Sequence, residues 1–361
     1  MIAFKRMKKR NLISNLVSIA LLVVVCVLVQ SSKSLLWNKI ISKILIFSIA
    51  ALSLNIVCGC LGEFALGHGG FLLIGYTAAV LIASFTRNMI GADVYKDMVY
   101  SPSNGLEALG YLLISSDVLL AAVITGVFGF IVGLIALGRL KGDYLAIVTL
   151  GISLIFVNIA KNVNVLGGPQ GIGISTKLGG SPLLYAIMLV ITIFLILTFM
   201  KSRFGRSILA CRDDNIAAEA CGVDVKKYKV LAFTFSAFLA GLAGALYSHF
   251  NTFKPIEFGT DLSIELLIIV VLGGLGSLTG SVISAIIIVF YNLWFCTRPW
   301  VPDFFKSNPK IIYGLILVGI MLFRSKGILG VSEFSWDWFY SKLKALWNKI
   351  GFKKKTPKEV K

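Results

Sequence analysis

The chain is predicted to be an all-α polytopic membrane protein, and three observations predict it. Of its 361 residues 57% are hydrophobic and only 14% charged, too little charge to cover a soluble domain of this size. Several stretches run about 18 residues or more with hardly any charge, the length needed to cross roughly 30 Å of hydrocarbon. The charge that does occur is bunched, with 24 of the 35 Lys and Arg in four blocks: Lys5 to Arg10, Arg139 with Lys141, Lys201 to Lys229, and Arg324 to the end. Four basic blocks on one face are the positive-inside signature, so the net charge of +18 requires no nucleic-acid partner.

Apolar windows place spans near 12–30, 35–57, 68–86, 117–137, 143–160, 183–200, 230–250, 262–272, 281–296 and 311–323. Ten crossings starting inside return the C-terminus to the inside, and all four basic blocks then share the cytoplasmic face. The eighth and tenth spans are short, so the expected range is eight to ten. Residues 1–11 form a basic cytoplasmic N-terminus. The run Leu12 to Val29 is long for a signal core and reads as an uncleaved first span. The transmembrane region extends over 12–330, with outer loops at 87–116, 161–182, 251–261 and 297–310 that hold turn formers such as "YSPSN" and "LGGPQGIG". The first loop has room for a small surface helix around Gly105 to Ile114.

In the tail, 331–361, Trp336, Phe339, Leu343, Trp347 and Ile350 recur at helical spacing, with Lys342, Lys344 and Lys349 off that stripe. This pattern predicts an interfacial helix with aromatic anchors, followed by a solvated basic end. Cys26, Cys58, Cys60, Cys211, Cys221 and Cys296 are scattered, and Cys58-Gly-Cys60 has the wrong spacing for a zinc knuckle or a redox pair. All six read as small hydrophobes.

One stretch resists the bilayer. "CRDDNIAAEACGVDVKKYK" (211–229) carries Arg212, Asp213, Asp214, Glu219, Asp224, Lys226, Lys227 and Lys229, and burying that set near a bilayer centre would cost on the order of 20 kcal/mol or more. It must lie in water, as a cytoplasmic loop over 201–229. Asp214 or Asn215 can cap a helix over "IAAEAC", Gly222 can end it in a left-handed turn, and Asp224 can cap the helix that follows. The pattern alone fits a solvated connector that holds topology better than it fits a docking helix with Ile216, Ala217, Ala220 and Val223 as its apolar face.

Three segments set glycine and sparse polar groups beside apolar spans: Gly62 to Gly75, Gly142 to Gly151 and Gly273 to Gly280. Interrupted helices can expose backbone to a solute at depth. The candidates for path lining are Glu63, His68, Tyr76, Thr149, Asn158 and Gln170, each of which serves equally as a structural hydrogen-bond former. Glu63 and His68 are placed at the cytoplasmic end of their spans, where a structural or gating role fits better than solute contact. "FLAGLAGALY" (238–247) reads as close helix packing through small residues.

The run "GRSILACRDDNIAAEACGVDVKKYKVLAFTFSAFLAGLAGALYSHF", followed by "FGTDLSIELLIIVVLGGLGSLTGSVISAII", resembles the membrane permeases of ABC importers for branched-chain amino acids, and most closely the second of their two permease types. "GEFALGHGGFLLIGYTAAVL" (62–81), "KGDYLAIVTLGISLIF" (141–156) and "LGGPQGIGI" (166–174) resemble segments of the same family in the same order, so the likeness covers roughly 50 to 330. It implies a multi-pass subunit of a prokaryotic plasma membrane that forms the path for Leu, Ile or Val. Its implied partners are two ATPase subunits, a second and related permease, and an extracytoplasmic binding protein. It also implies a coupling helix that docks on the ATPase, carried here by Arg212, Asp213, Asp214, Glu219, Ala220 and Gly222. Cys221 stands between Ala220 and Gly222, and no proline follows, which departs from the wider permease pattern.

The chain has no G-x-x-x-x-G-K-[ST] and no Gly-Lys pair at all, so it lacks the usual phosphate-binding loop. It is expected to carry no cofactor, to be no enzyme, and to rely on ATP hydrolysed by its partners. Two alternatives stay open: a permease for short amides, urea, nucleosides or sugars, and an ion-coupled carrier working alone. A carrier needs carboxylates within its spans, and only Glu63, Glu265 and the boundary residues Asp117 and Asp143 come close. An intramembrane enzyme has no Ser/His/Asp set, paired Asp or His cluster to work with.

Overall fold

The computed structural model describes residues 35–91, 95, 107–137, 142–163, 168–171, 174, 181–250, 254–296, 298, 302, 314–315 and 318–319. The N-terminal segment and first span, most of the span at 311–323, and the tail at 331–361 lie outside the described residues. Within them the chain is all-helical, without a strand, and seven helices are long and apolar enough to cross a membrane.

Helix α1 (Leu35–Asn55) continues through a π-helical turn, Ile56–Leu61, and stops at Gly62, whose φ of 81° turns the chain out of the helix. Together they span the membrane, and almost all of this length is buried inside the protein. An extended stretch then leads to α2 (His68–Ile90). Next comes α3 (Glu107–Ala136), whose 30 residues form one continuous helix. The expected surface helix near Gly105 to Ile114 is therefore the outer end of a span. Residues 107–116 hold no proline and one glycine, so nothing in them ends the helix.

Helices α4 (Asp143–Asn162) and α5 (Pro182–Lys201) follow, and both leave much of their surface outward. Lys201 leads into the short, charge-rich pair α6 (Arg203–Asp213) and α7 (Asn215–Ala220), and α8 (Val225–Phe250) runs back along the bundle as another membrane-length helix. At 1.5 Å per residue its 26 residues reach about 39 Å.

The eighth window falls on α9 (Thr260–Gly273), which at 14 residues is too short to span. It turns sharply at Gly274 to Ser277 into α10 (Leu278–Phe290), and a second π-helical turn, Tyr291–Phe295, carries α10 outward. The two form a tight hairpin, since a Cβ on Gly273 or on Gly280 would strike the other residue's backbone.

Packing centres on α8, whose main partners are α3 and α2, and on α1, which is wrapped by α10, α8, α5 and α9. The small-residue reading of 238–247 holds. Gly241 lies against the backbone of Gly75, and a Cβ on Gly244 would collide with the Leu72 carbonyl. In a bilayer, where lipid is as apolar as leucine, such close approach of backbones is a main source of helix association.

Candidate functional site

The charged island folds as its punctuation predicts. Asp214 is the cap of α7, accepting hydrogen bonds from Ile216 N–H at 2.8 Å and Ala217 N–H at 3.2 Å. Gly222 ends the helix at φ 80°, and Val223 N–H closes back on the Ala218 carbonyl at 3.0 Å. Asp224 caps α8 by accepting from Lys227 N–H. Beneath α7 lies a small apolar seat of Cys211, Ala218 and Val225, with Val223 against it. Burial raises the Cys211 thiol above its ordinary pKa, so it serves as packing. Val223 thus points inward, whereas Ile216, Ala217, Glu219, Ala220 and Cys221 are exposed, Ile216 by 80%.

Arg212 faces the other way. Its guanidinium pairs with Asp213 at 3.1 Å and donates from Nη1 to the Gly59 carbonyl at 3.0 Å. Gly59 belongs to the π-helical turn of α1, and against it sits Gly276 of the α9–α10 turn. A Cβ on Gly59 would overlap both the Asn55 side chain and the Gly276 backbone, so only glycine admits this contact. Asn55 completes the junction: its Oδ1 accepts from Gly276 N–H at 2.8 Å, and its Nδ2 donates to the Ser277 carbonyl at 2.9 Å and to Ser281 Oγ at 3.0 Å. The water-facing island is thereby joined through one arginine to two interrupted membrane segments.

A second connection runs through Glu63, which forms an ion pair with Lys229, the fifth residue of α8. Both side chains are largely buried. Glu63 and His68 do not share one depth. His68 Nε2 meets Ser236 Oγ at 3.1 Å, and Ser236 lies seven residues beyond Lys229, about 10 Å further into the membrane. Ser236 Oγ already donates to the Ser53 carbonyl at 2.6 Å, so Nε2 carries the proton here and Nδ1, which has no partner, is the bare nitrogen.

The stretch between them, 62–67, is non-helical. Neighbouring helices meet the open amides here: in the stretch itself Leu66 N–H is met by Thr149 Oγ1 at 3.2 Å, and in the first turn of α2 Gly69 N–H is met by Ser263 Oγ at 3.0 Å. Irregular backbone survives at depth only under such cover.

Of the remaining candidates, Tyr76 is buried against Phe258, with ring centroids 5.2 Å apart. Asn158 and Gln170 are exposed, on α4 and in the 3-10 turn Gly168–Gln170, and neither joins the junction. Asp117, expected at a span boundary, lies ten residues inside α3 and is buried. Sequence reasoning missed Asn55 altogether, because a lone Asn before a Gly-rich turn carries no spacing signature. In the sequence Lys229 reads only as a solvated charge of the island. Its signal was position, five residues into a span.

Comparison with known proteins agrees with this architecture. The family model described as branched-chain amino acid transport system / permease component matches residues 37–323. The high-affinity branched-chain amino acid transport system permease protein LivM of Salmonella typhimurium is 31% identical over 325 residues, covering 80% of this chain and 69% of the relative. The probable LivM of Methanocaldococcus jannaschii is 25% identical over 320 residues, covering 79% and 90%. The autoinducer 2 import system permease protein LsrC of Escherichia coli O9:H4 is 28% identical over 174 residues, covering 44% and 48%. No solved structure matches. With its membrane-length helices, its hairpin and its capped, charge-rich helix covered by the match, the chain belongs to the branched-chain amino acid transport system permease component family.

Proposed function

We propose that this chain is a translocation subunit of an ABC importer for Leu, Ile and Val in a prokaryotic plasma membrane, driven by two separate ATPase subunits that dock on α6 and α7. A related permease completes the path and an extracytoplasmic binding protein delivers the solute. The observation that carries the proposal is the Arg212 bridge: near the end of α6, immediately before the capped and exposed helix α7, Arg212 is hydrogen bonded to Gly59, beside the Gly276 turn. A moving ATPase can bias the membrane segments only through an element whose two positions differ in free energy, and a capped helix transmits displacement where a loose loop absorbs it. In this reading Glu219, Ala220 and Ile216 face the ATPase, Arg212 and Asp213 pass its movement inward, and Glu63, His68 and Thr149 hold the interrupted segments in register.

The test is reconstitution with ATPase, second permease and leucine-loaded binding protein. ATP-dependent leucine uptake that stops when the ATPase is omitted supports the proposal. Uptake by this chain alone under an ion gradient refutes it in favour of a carrier using buried carboxylates such as Asp117. The likeness to LsrC favours a second reading, in which the cargo is another small polar solute; competition of leucine uptake by valine and isoleucine, but not by sugars, decides between them.

A further inference from the structure

A groove between α3, α5 and α8 takes no part in the coupling junction. It has a volume of about 460 Å³ and is walled by Val127 and Phe130 of α3, Phe199 of α5, and Leu231, Thr234 and Phe238 of α8. Val127 and Phe130 are exposed, so the groove opens on the outside of the bundle. Thr234 is the one polar side chain in its wall, and its hydroxyl donates to the Val230 carbonyl at 2.8 Å. A cleft that holds a polar solute sets a few hydrogen-bonding groups against it. This wall offers none, so its occupant is hydrocarbon.

The end of the groove nearest α6 is basic. Lys227, Leu231, Thr234 and Phe238 follow at steps of four, three and four residues, which makes them one stripe of α8. Exposed Lys227 thus stands one turn, about 6 Å, from the first wall residue on that helix. Phe199 stacks on Phe235 with centroids 4.2 Å apart, and Lys201 follows two residues later at the end of α5. Arg206 folds back over that helix end, donating from Nη1 to the Lys201 carbonyl at 3.2 Å. The Phe204 ring lies against Tyr228 at 6.3 Å and draws the first turns of α6 and α8 together. Lys201, Arg206 and Lys227 are all exposed, and among the described residues none of them is ion-paired. Asp224, the acid nearest Lys227 along the chain, is engaged as the cap of α8.

We propose that this groove and its basic mouth bind one anionic phospholipid, with an acyl chain between α3, α5 and α8 and the phosphate held by Lys201, Arg206 and Lys227. The site goes beyond the transport reading and takes from it only the cytoplasmic placement of α6 and α7, which puts the lipid in the inner leaflet. An apolar wall or a cationic rim alone is ordinary on a membrane protein. Their succession along one stripe of α8 selects a molecule with a negative head directly joined to a hydrocarbon tail. Basic pockets between membrane helices on the cytoplasmic side recognise anionic head groups in this way, and Arg206 has Nε and Nη2 left for phosphate oxygens. A zwitterionic head group would bring its own ammonium against the same three cations. Because α5 enters the α6–α7 pair and α8 leaves it, a lipid seated here braces the base of the coupling element.

Native mass spectrometry of the full chain, released from detergent containing equimolar phosphatidylglycerol and phosphatidylcholine, tests this. The wild-type chain should retain one phosphatidylglycerol in preference to phosphatidylcholine. Lys201→Gln with Lys227→Gln should cut that preference by about tenfold or more, since each cation near the membrane surface is worth about fivefold in affinity. Arg87→Gln with Lys254→Gln removes the same charge elsewhere and should leave the preference intact. Val127→Trp, at an exposed wall position, should expel bound lipid of either kind, whereas Ile147→Trp, also exposed but on α4, should not. Equal retention of the two lipids by the wild type overturns the site. So does a preference that survives the double variant or Val127→Trp, or a loss shared by the two controls. A wild-type chain that retains no phospholipid, or loses it as the second permease binds, gives the groove to a protein segment, either the run 12–30 or a partner helix, and overturns the site as well.

Discussion

Asn55 is the residue on which the inner junction turns. It is fully buried and makes three hydrogen bonds, two of them to the backbone of the α9–α10 turn. Asn55→Leu would strand the Gly276 N–H, at about 1–3 kcal/mol, while the Ser277 carbonyl would keep its bonds from Ser281. The expected outcome is a lower melting temperature of the detergent-solubilised protein and weaker ATP-coupled uptake, whereas Ser281→Ala, which removes only one of the three partners, should shift melting far less. The Glu63–Lys229 pair gives a sharper contrast. Removing one partner leaves a buried charge, so Glu63→Gln or Lys229→Met alone should destabilise by about 3–5 kcal/mol, while the double variant should recover much of the loss. A double-mutant cycle on thermal unfolding checks this, and additive losses would show that the two side chains do not interact.

Helix α7 shows how elements of this chain were readable. Its cap, its left-handed stop and the cap of the next helix are written in adjacent residues, Asp214, Gly222 and Asp224, and each folds as written. Local hydrogen-bond chemistry sufficed there because no distant partner competes. The same holds for the close packing of Gly241 and Gly244. By contrast, the pairing of Glu63 with Lys229 joins positions 166 apart, and no local pattern encodes it. The eighth window was legible as apolar but not as half of a hairpin, because hydropathy measures length while the Gly273–Gly280 contact sets direction.

From the caps follows a prediction at the level of the helix. Asp214→Ala should cost about 1 kcal/mol. Gly222→Ala should cost about 1–2 kcal/mol for the left-handed backbone alone, since no atom lies within 4 Å of the added Cβ. A helix of six residues has no reserve against such losses. Both variants should insert and purify normally, yet retain less ATPase on co-purification and show reduced uptake.

Across the whole molecule the free thiols form a built-in test of sidedness. Cys58, Cys60 and Cys211 are buried, whereas Cys221 is exposed beside α7 and Cys296 is half-exposed past the outer end of α10. A single topology must put these last two on opposite faces, because α8 and the α9–α10 hairpin lie between them. α8 crosses once, and the hairpin enters and leaves from one side, opposite to α7. In inside-out vesicles a membrane-impermeant maleimide should therefore label Cys221 and spare Cys296, and in right-side-out vesicles the preference should reverse. Substituting Cys26 by Ser beforehand leaves the five described thiols as the only targets. Binding of the ATPase should then slow labelling of Cys221, since α7 presents Ile216, Glu219 and Cys221 on its open side, and leave Cys296 untouched. Labelling of both thiols from one side would mean that the hairpin crosses only once, which would separate Gly276 from Gly59 and dissolve the junction that Arg212 joins.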